Sequence, residues 1–510
     1  MKIPVFAQNG PPKAWRGKIG KPLIGVAIIL FLTFMVASVH AQSEAGVKVE
    51  WERTFGKEID HDYGYSVQQT IDGGYIIVGT TVLQGSDDVY LVKIDSKGNL
   101  EWEKRFEGDD NDGAYDVQQT PDGGYITVGY TESLKSGRKV YLIKTDSSGN
   151  LEWEKAFGGE RAIEGHSVQP TDDGGYIITG RKYTPNSIYL TKIDSKGNIE
   201  WENEYGGIRD NFFGHVGDHP VQQTKDRGYI TVGYVYSTKT QSNDVYLVKT
   251  DSGGYIEWTR TFGREGDDRG FSVQQTADGD YIIAGTTFSS DSGGYNVYLI
   301  KVDPTGNLRW EKTFGESNAD CGFSVLQTDD GGYTIVGYTF SSSKGYDVYL
   351  IKTDPDGNLE WEKAFDAESV HDPTQGGVWD KGYSIRQTGD GGYIIVGYTY
   401  SIETRSNDVY VIKLSPGGQG GATSTASSPP HTKTSSSNSR TKTETTTKPS
   451  PTNTQRATTE SQTGFHTPSR SSSAGTSSET SKGFSFNVTC GPGLIALLPL
   501  LPLLWRRRRE

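Results

Sequence analysis

The decapeptide DGGYIIVGYT at 390–399 has near copies that begin at Asp72, Asp122, Asp173, Asp226, Asp278 and Asp330. A segment that returns seven times at intervals of roughly 50 residues is too short, copy by copy, to bury its own apolar faces, so the copies must pack on one another. This overrides the several-domain expectation that 510 residues would otherwise set.

Each repeat holds four short apolar segments. In the second they are DVQQT (116–120), YITVGY (125–130), VYLIKTD (140–146) and LEWEKAF (151–157). The first and last alternate polar and apolar residues, as half-buried strands do, whereas the middle two are almost continuously apolar and should be covered on both faces. Asp-Gly-Gly supplies the positive backbone torsions of a hairpin between the first two strands, and SSGN at 147–150 does so between the last two. An antiparallel meander reverses at every turn, so tight turns fall on one side of the molecule and long, variable loops on the other. The expected fold is all-β, a seven-bladed β-propeller of four-stranded antiparallel blades. The tryptophan of the fourth strand occurs at Trp51, Trp102, Trp153, Trp201, Trp258, Trp310 and Trp361. The first precedes any first strand, and the last repeat stops at VYVIKL (409–414) with no tryptophan strand of its own. Residues 47–55 should therefore pair with 409–414 and close the ring. The repeated motif reads as a blade code rather than as chemistry. From Val47 to about Ser415 the body resembles the propeller repeats of secreted bacterial and archaeal surface proteins.

Composition shifts at both ends. Five basic residues between Lys2 and Lys21 precede an uncharged run that closes on VHA at Ala41, the order of an export signal, either cleaved or kept as a membrane anchor. Between Gly421 and Thr480, 32 of 60 residues are Ser or Thr, which cannot build a core and suits a glycosylated stalk. No charge occurs from Gly483 to Trp505, and Arg506 to Arg509 follow, as at a membrane span with a cytoplasmic basic stop. The tail CGPGLIALLPLLPLLWRRRR, Cys490 to Arg509, looks like the CGP-type C-terminal sorting signals on surface proteins of hyperthermophilic archaea; that resemblance implies Cys490 as the processed or lipid-modified position. The domain reading is thus 1–41 signal peptide or N-terminal membrane segment, 42–416 propeller, 417–482 disordered stalk and 483–510 C-terminal anchor or sorting signal.

A net charge of −13 leaves no broad basic surface for phosphates, so nucleic acid is not an expected partner. Two cysteines in regions of unlike composition make no disulfide framework. No nucleophile elbow, phosphate loop or zincin motif is present. DPDGN at 354–358 resembles a calcium loop but lacks the bidentate glutamate at the required spacing, and turn chemistry suffices for it.

Candidate residues lie on the long-loop face. Asp62, Asp112, Asp268, Asp320 and Asp380 precede first strands beside glycine, where they would either gather a cation near the channel mouth or fix turns by bonding their own backbone. Tyr183, Tyr236, Phe288, Phe340 and Tyr400 occupy equivalent positions after the second strand, as a stacking surface for sugar or protein or as a roof between blades. Two aberrant loops, 206–220 and 365–382, bring Phe212, Phe213 and Trp379 to this face, with His215, His219 and His371 as a metal alternative that no helix spacing supports. The expected function is a non-enzymatic, membrane-anchored, monomeric propeller outside the cell that binds a protein or glycan in adhesion or envelope organisation, with no cofactor beyond a cation at its face. The alternative is a surface hydrolase or lyase acting on polysaccharide or peptide.

Overall fold

The four apolar segments of each repeat form four antiparallel strands in chain order. In blade 1 they are His61–Gln69, Tyr75–Leu83, Ser86–Ile94 and Leu100–Phe106. The computed structural model describes residues 47–416 except 57–59, 84, 133–136, 160–161, 184–185, 207–219, 265, 290–292, 316–318, 342–344, 368–377 and 402–404. The expected N-terminal segment, stalk and C-terminal anchor with Cys490 lie outside the described residues, as do Phe212, Phe213, His215, His219 and His371.

Seven such sheets follow one another, and the chain is a seven-bladed β-propeller. Val49–Phe55 pairs with Ser406–Leu414, with Val49 opposite Leu414 and Phe55 opposite Val409, so the N-terminal strand completes the last blade, as the tryptophan offset predicts. One element goes beyond the four-strand pattern: Val378–Trp379 runs parallel to the start of Gly345–Thr353 and extends blade 6, where blade 5 has a single parallel bridge between Ala319 and Tyr295.

The burial pattern gives the code a physical meaning. In blade 1 the second and third strands are buried almost throughout, while the fourth is the exposed outer edge, whose alternating charges resist pairing with another chain. Blades pack face to face: Val67, Tyr75, Ile77 and Val92 of blade 1 share a core with Ile394, Val396, Val409 and Val411 of blade 7. Five of the landmark tryptophans reach across that interface to the tyrosine that opens the second strand of the next blade. Trp51 meets Tyr75 at 6.1 Å between ring centroids, Trp102 meets Tyr125 at 5.9 Å and Trp258 meets Tyr281 at 6.0 Å. The glycine of VGY is required by close approach, because a Cβ on Gly79 would fall 1.6 Å from the Tyr63 carbonyl oxygen where the first strand bulges between Gly64 and Ser66.

The aspartate of Asp-Gly-Gly does more than turn the chain. Asp72 accepts from the Gly74 N–H at 2.9 Å and from the Thr70 hydroxyl, and its other oxygen lies 3.1 Å from Lys93 Nζ. Lys93, buried on the third strand, also pairs with Glu101 at 2.9 Å. The same Lys–Asp–Glu arrangement recurs at Lys144 with Asp122 and Glu152, at Lys249 with Asp226 and Glu257, and at Lys352 with Asp330 and Glu360. In blade 7 the N-terminal strand supplies the glutamate, Glu50, to Lys413. Ring closure thus has an ionic component besides the strand pairing.

Removal of residues 47–55 should expose the edge of Ser406–Leu414, leave Lys413 with one carboxylate and open the ring. Thermal melts followed by circular dichroism should show a much lower and broader transition, whereas excision of nine residues within 421–480 should leave the melt unchanged.

Candidate functional site

The first strands line the axis. Four of them end in a Gln-Gln-Thr segment at the tight turn, and the other three keep one glutamine there, so the glutamines lie on the tight-turn side and the preceding aromatic residues lie toward the long loops. Together they enclose a cavity of about 260 Å³. Its aromatic layer is continuous: His166 packs on Tyr115 (5.4 Å), Tyr115 on Tyr65 (5.7 Å), Tyr65 on Tyr383 (5.6 Å), Tyr383 on Phe323 (5.0 Å) and Phe323 on Phe271 (5.3 Å). These rings form a floor across the axis beneath a cup of serine and glutamine.

Besides Pro220 and Leu326, two charged residues break the sevenfold character of the cup. Asp116 stands where Ser66, Ser167, Ser272, Ser324 and Ser384 stand in other blades, and Arg386 replaces a glutamine. The buried Asp116 carboxylate accepts from the hydroxyls of Ser66 (2.8 Å) and Ser167 (3.1 Å) and from the N–H groups of Val117 (2.9 Å) and Val168 (3.0 Å). Burial raises its pKa, and the Arg386 charge offsets that rise. Arg386 donates to the Ile385 carbonyl oxygen at 2.8 Å; burial lowers its pKa and Asp116 counters the shift. Both charges are absorbed within the cup. The departures DVQQT and SIRQT from SVQQT are the sequence signal that marks them.

The long-loop side is where the repeat varies most. The residue after the conserved aspartate position is Tyr63, Gly113, Glu164, Arg269, Cys321 or Lys381, a different residue in each described blade. Glu164 is held well below the usual carboxylate range despite burial, because His166, Arg138 and Tyr183 surround it. Arg138 Nη1 lies 2.8 Å from its Oε2, and the Tyr183 hydroxyl donates to Oε1 at 2.6 Å. Arg269 sits over the ring of Tyr234 at 5.3 Å. Lys381 Nζ lies 4.6 Å from the centroid of Tyr338, 5.1 Å from Tyr346 and 6.0 Å from Trp379, and burial brings its pKa down to about 8.

The structure corrects the placement of two predicted groups. Asp62, Asp112, Asp268, Asp320 and Asp380 do not ring the channel mouth; all five are buried at the blade interfaces. The side chain at this point of the bulged first strand faces the preceding blade rather than the axis. Asp268 accepts from the Arg264 N–H at 2.6 Å and Asp380 from the Ala367 N–H at 3.0 Å, the backbone-fixing role weighed from sequence. Tyr183, Tyr236, Phe288, Phe340 and Tyr400 lie within the second strands, not in loops, and are half-buried. Phe288 packs on Tyr295 at 5.3 Å and Phe340 on Tyr346 at 4.9 Å, which roofs part of the interface and leaves one edge to solvent. Trp379 is about one-third exposed beside Tyr346. Asp354 at the start of DPDGN accepts from the N–H groups of Asp356 (3.0 Å) and Asn358 (2.8 Å), as turn chemistry requires.

Sequence reasoning missed the partners of the buried aspartates. Asp268 faces Asp244, and Asp408 faces Asp62. Burial first, then the neighbouring carboxylate, pushes Asp268 up to about 6 despite the Arg264 charge, and burial with Asp62 pushes Asp408 up to about 6. The second aspartate of each pair lies in the third strand just before the Val-Tyr step, a position the apolar pattern does not mark.

No family model and no curated protein matches the chain. Among solved structures, it is similar to the WD40 domain of Neurospora crassa Pan2 (11% identity, 69% of this chain and 88% of that one, TM-score 0.44). It is also similar to the β-propeller domain of the Trilobed protease from Pyrococcus furiosus (12% identity, 69% and 93%, TM-score 0.40) and to a protein of unknown function from Dyadobacter fermentans (11% identity, 73% and 99%, TM-score 0.44). Likeness at this level says nothing of ligand or activity.

Two outcomes follow from these charges. A carboxyl whose pKa is raised on folding contributes stability below its unfolded value of 3.8, and that contribution is lost as pH rises through about 6; Asp268 and Asp408 act in this sense. Asp122, Asp173, Asp278 and Asp390 are lowered to about 2, so their contribution is present above 3.8 and lost as pH falls through 2. In chelator the melting temperature should therefore fall between about pH 4 and 6, and Asp268→Asn should flatten that fall. In the cup, Arg386→Gln alone should cost roughly 2–3 kcal/mol by leaving the Asp116 charge without its counter-charge, and adding Asp116→Ser should restore about 1–2 kcal/mol of it in denaturant unfolding.

Proposed function

We propose that this propeller is a binding body held at the cell surface, with its ligand taken on the long-loop face. The observation that carries this reading is the distribution of difference within the repeat. Turn, core and outer-edge positions repeat nearly unchanged, while the layer of Tyr63, Glu164, Arg269, Cys321 and Lys381 changes blade by blade. A ring of like units needs unlike residues only where it meets something without sevenfold character, and here those residues share one side. The half-buried aromatics and Trp379 supply rigid contact area there, suited to a protein or glycan surface.

Surface location rests on the chain's ends: an export-like N-terminal segment, a Ser/Thr-rich stalk and the CGP-type tail with its arginine cluster. On this reading the propeller and stalk lie outside, sugars decorate Ser and Thr, and Cys490 is processed or carries lipid.

One observation favours the hydrolase or lyase alternative. Lys381, with its pKa near 8 in an aromatic cage, is suited to act as a base near neutral pH.

The binding reading is tested by probing glycan and envelope-protein arrays with residues 42–416. Retention should fall at least about tenfold on Trp379→Ala with the melting temperature little changed. Steady turnover of a polysaccharide or peptide that Lys381→Met abolishes would replace binding with catalysis. Separately, mass spectrometry of the mature C-terminal peptide should find a chain that ends at or near a modified Cys490; an unmodified Cys490 still joined to Trp505 would remove the processing step.

A further inference from the structure

The interface between blades 6 and 7 departs from most of its equivalents at one position, the residue after the fourth strand. In four blade interfaces, an aspartate of one blade's third strand faces the aspartate at the start of the next blade's first strand: Asp408 with Asp62, Asp88 with Asp112, Asp244 with Asp268, and Asp347 with Asp380. The residue that follows the fourth strand stands between the two. Where it is glycine, an added Cβ would point into the pair: on Gly56 it would lie 2.6 Å from Asp62 Oδ2 and 2.7 Å from Asp408 Oδ1. On Gly263 it would lie 2.5 Å from Asp244 Oδ1 and 2.8 Å from Asp268 Oδ2. In blade 1 it is Glu107, which is exposed, and in blade 6 it is Asp366, so that a third carboxylate enters where blades 4 and 7 leave space.

The three carboxylates converge. One oxygen each from Asp347, Asp366 and Asp380 lies within 4.8 Å of the other two. Three oxygens within 4.8 Å of one another all lie within about 2.8 Å of a common point, close to the reach of a calcium–oxygen bond. Asp380 has no solvent-exposed surface. Its Oδ2 accepts from the Ala367 N–H at 3.0 Å, and its Oδ1 has no hydrogen-bond partner among the described residues. Burial, with the like charges of Asp366 and Asp347 added, pushes this carboxyl up to about 7. The Thr399 hydroxyl offsets part of that rise without reaching hydrogen-bond geometry. A buried oxygen with a spare lone pair, among carboxylates that repel one another, lacks a cation rather than another donor.

We propose that Asp347, Asp366 and Asp380 form a calcium site that clamps blade 6 to blade 7. An all-carboxylate donor set suits a hard divalent cation, and oxygens spread this widely suit calcium over the smaller, more strictly octahedral magnesium. Asp366 and Asp380 begin and end the long connection into blade 7, so the ion fixes both ends of one of the two aberrant loops. The site adjoins the long-loop face, since Trp379 and Lys381 flank Asp380.

Calorimetric titration of the full-length chain with calcium, after chelation, tests the proposal beside thermal melts at neutral pH. Saturable binding and a raised melting temperature are expected, with magnesium at least about tenfold weaker. Asp366→Gly, which restores the residue of five of the six sister blades, should remove that calcium-dependent increase. In chelator the same variant should melt no lower than the parent, since it loses repulsion and keeps the Asp380 contact to the backbone; this separates a metal ligand from a structural residue. Asp380→Asn provides a second variant with the same expected loss. No saturable calcium binding, an undiminished increment in Asp366→Gly, or magnesium bound as tightly as calcium would each overturn the assignment.

Discussion

Seven inner strand edges meet around one axis, and the structure depends on how their backbone donors are satisfied. An edge strand presents N–H groups with no neighbouring strand to receive them, and burying them unpaired would be costly. Here the side chains of the adjacent blade receive them. The Val325 N–H donates to Ser272 Oγ at 3.1 Å, Val67 to Ser384 Oγ at 3.4 Å, Gln223 to Gln169 Oε1 at 2.7 Å and Gln327 to Gln274 Oε1 at 2.6 Å. The second glutamine reaches back to the preceding turn: Gln119 Oε1 accepts from Ile71 at 2.8 Å and Gln69 Oε1 from Gly389 at 2.9 Å. The SVQQT segment is therefore a lock between blades, and a lock of this kind is complete only when the ring is closed. Asp116 fits the same logic, since it accepts the Val168 N–H that a serine would otherwise receive.

Blade number and closure were legible because they follow from counting. Seven tight turns that open on aspartate, five of them Asp-Gly-Gly, seven fourth-strand tryptophans and an offset of one strand admit a single arrangement, and the pairing of Val49–Phe55 with Ser406–Leu414 matches it. What lies between repeats was not legible. Lys93 meeting both Asp72 and Glu101 joins three strands of one sheet, and Trp51 meeting Tyr75 joins two sheets; periodicity gives the positions and not the partners. Asp62 and its equivalents were misplaced for the same reason. Order along the chain put them at the mouth of the channel, whereas the bulge at Gly64 to Ser66 decides which way the strand's side chains face. The short strand Val378–Trp379 escaped because it is an addition to the code rather than a copy of it.

The candidate site was legible to a lesser degree, and for a related reason. A repeat protein displays its special positions as departures from its own consensus. Asp116 and Arg386 are such departures, yet both are neutralised within the cup and contribute to packing as much as to recognition. The layer from Tyr63 to Lys381 departs at every described blade, and its side chains engage rings and charges particular to each interface.

The two ends of the blades differ in how they treat buried charge, and this gives the acidic composition a location. At the tight-turn end each buried lysine is matched by carboxylates on neighbouring strands, so the charge is internally compensated and stable across neutral pH. At the long-loop end aspartates face one another across blade interfaces, and burial together with like charge raises Asp268, Asp380 and Asp408 toward neutrality. Such pairs keep a proton or take a cation, because two ionised carboxylates in a desolvated gap are a poor alternative to either. Sensitivity to pH and to divalent ions is thereby confined to the end of the molecule where the repeat varies, while the end that locks the ring is insulated from both.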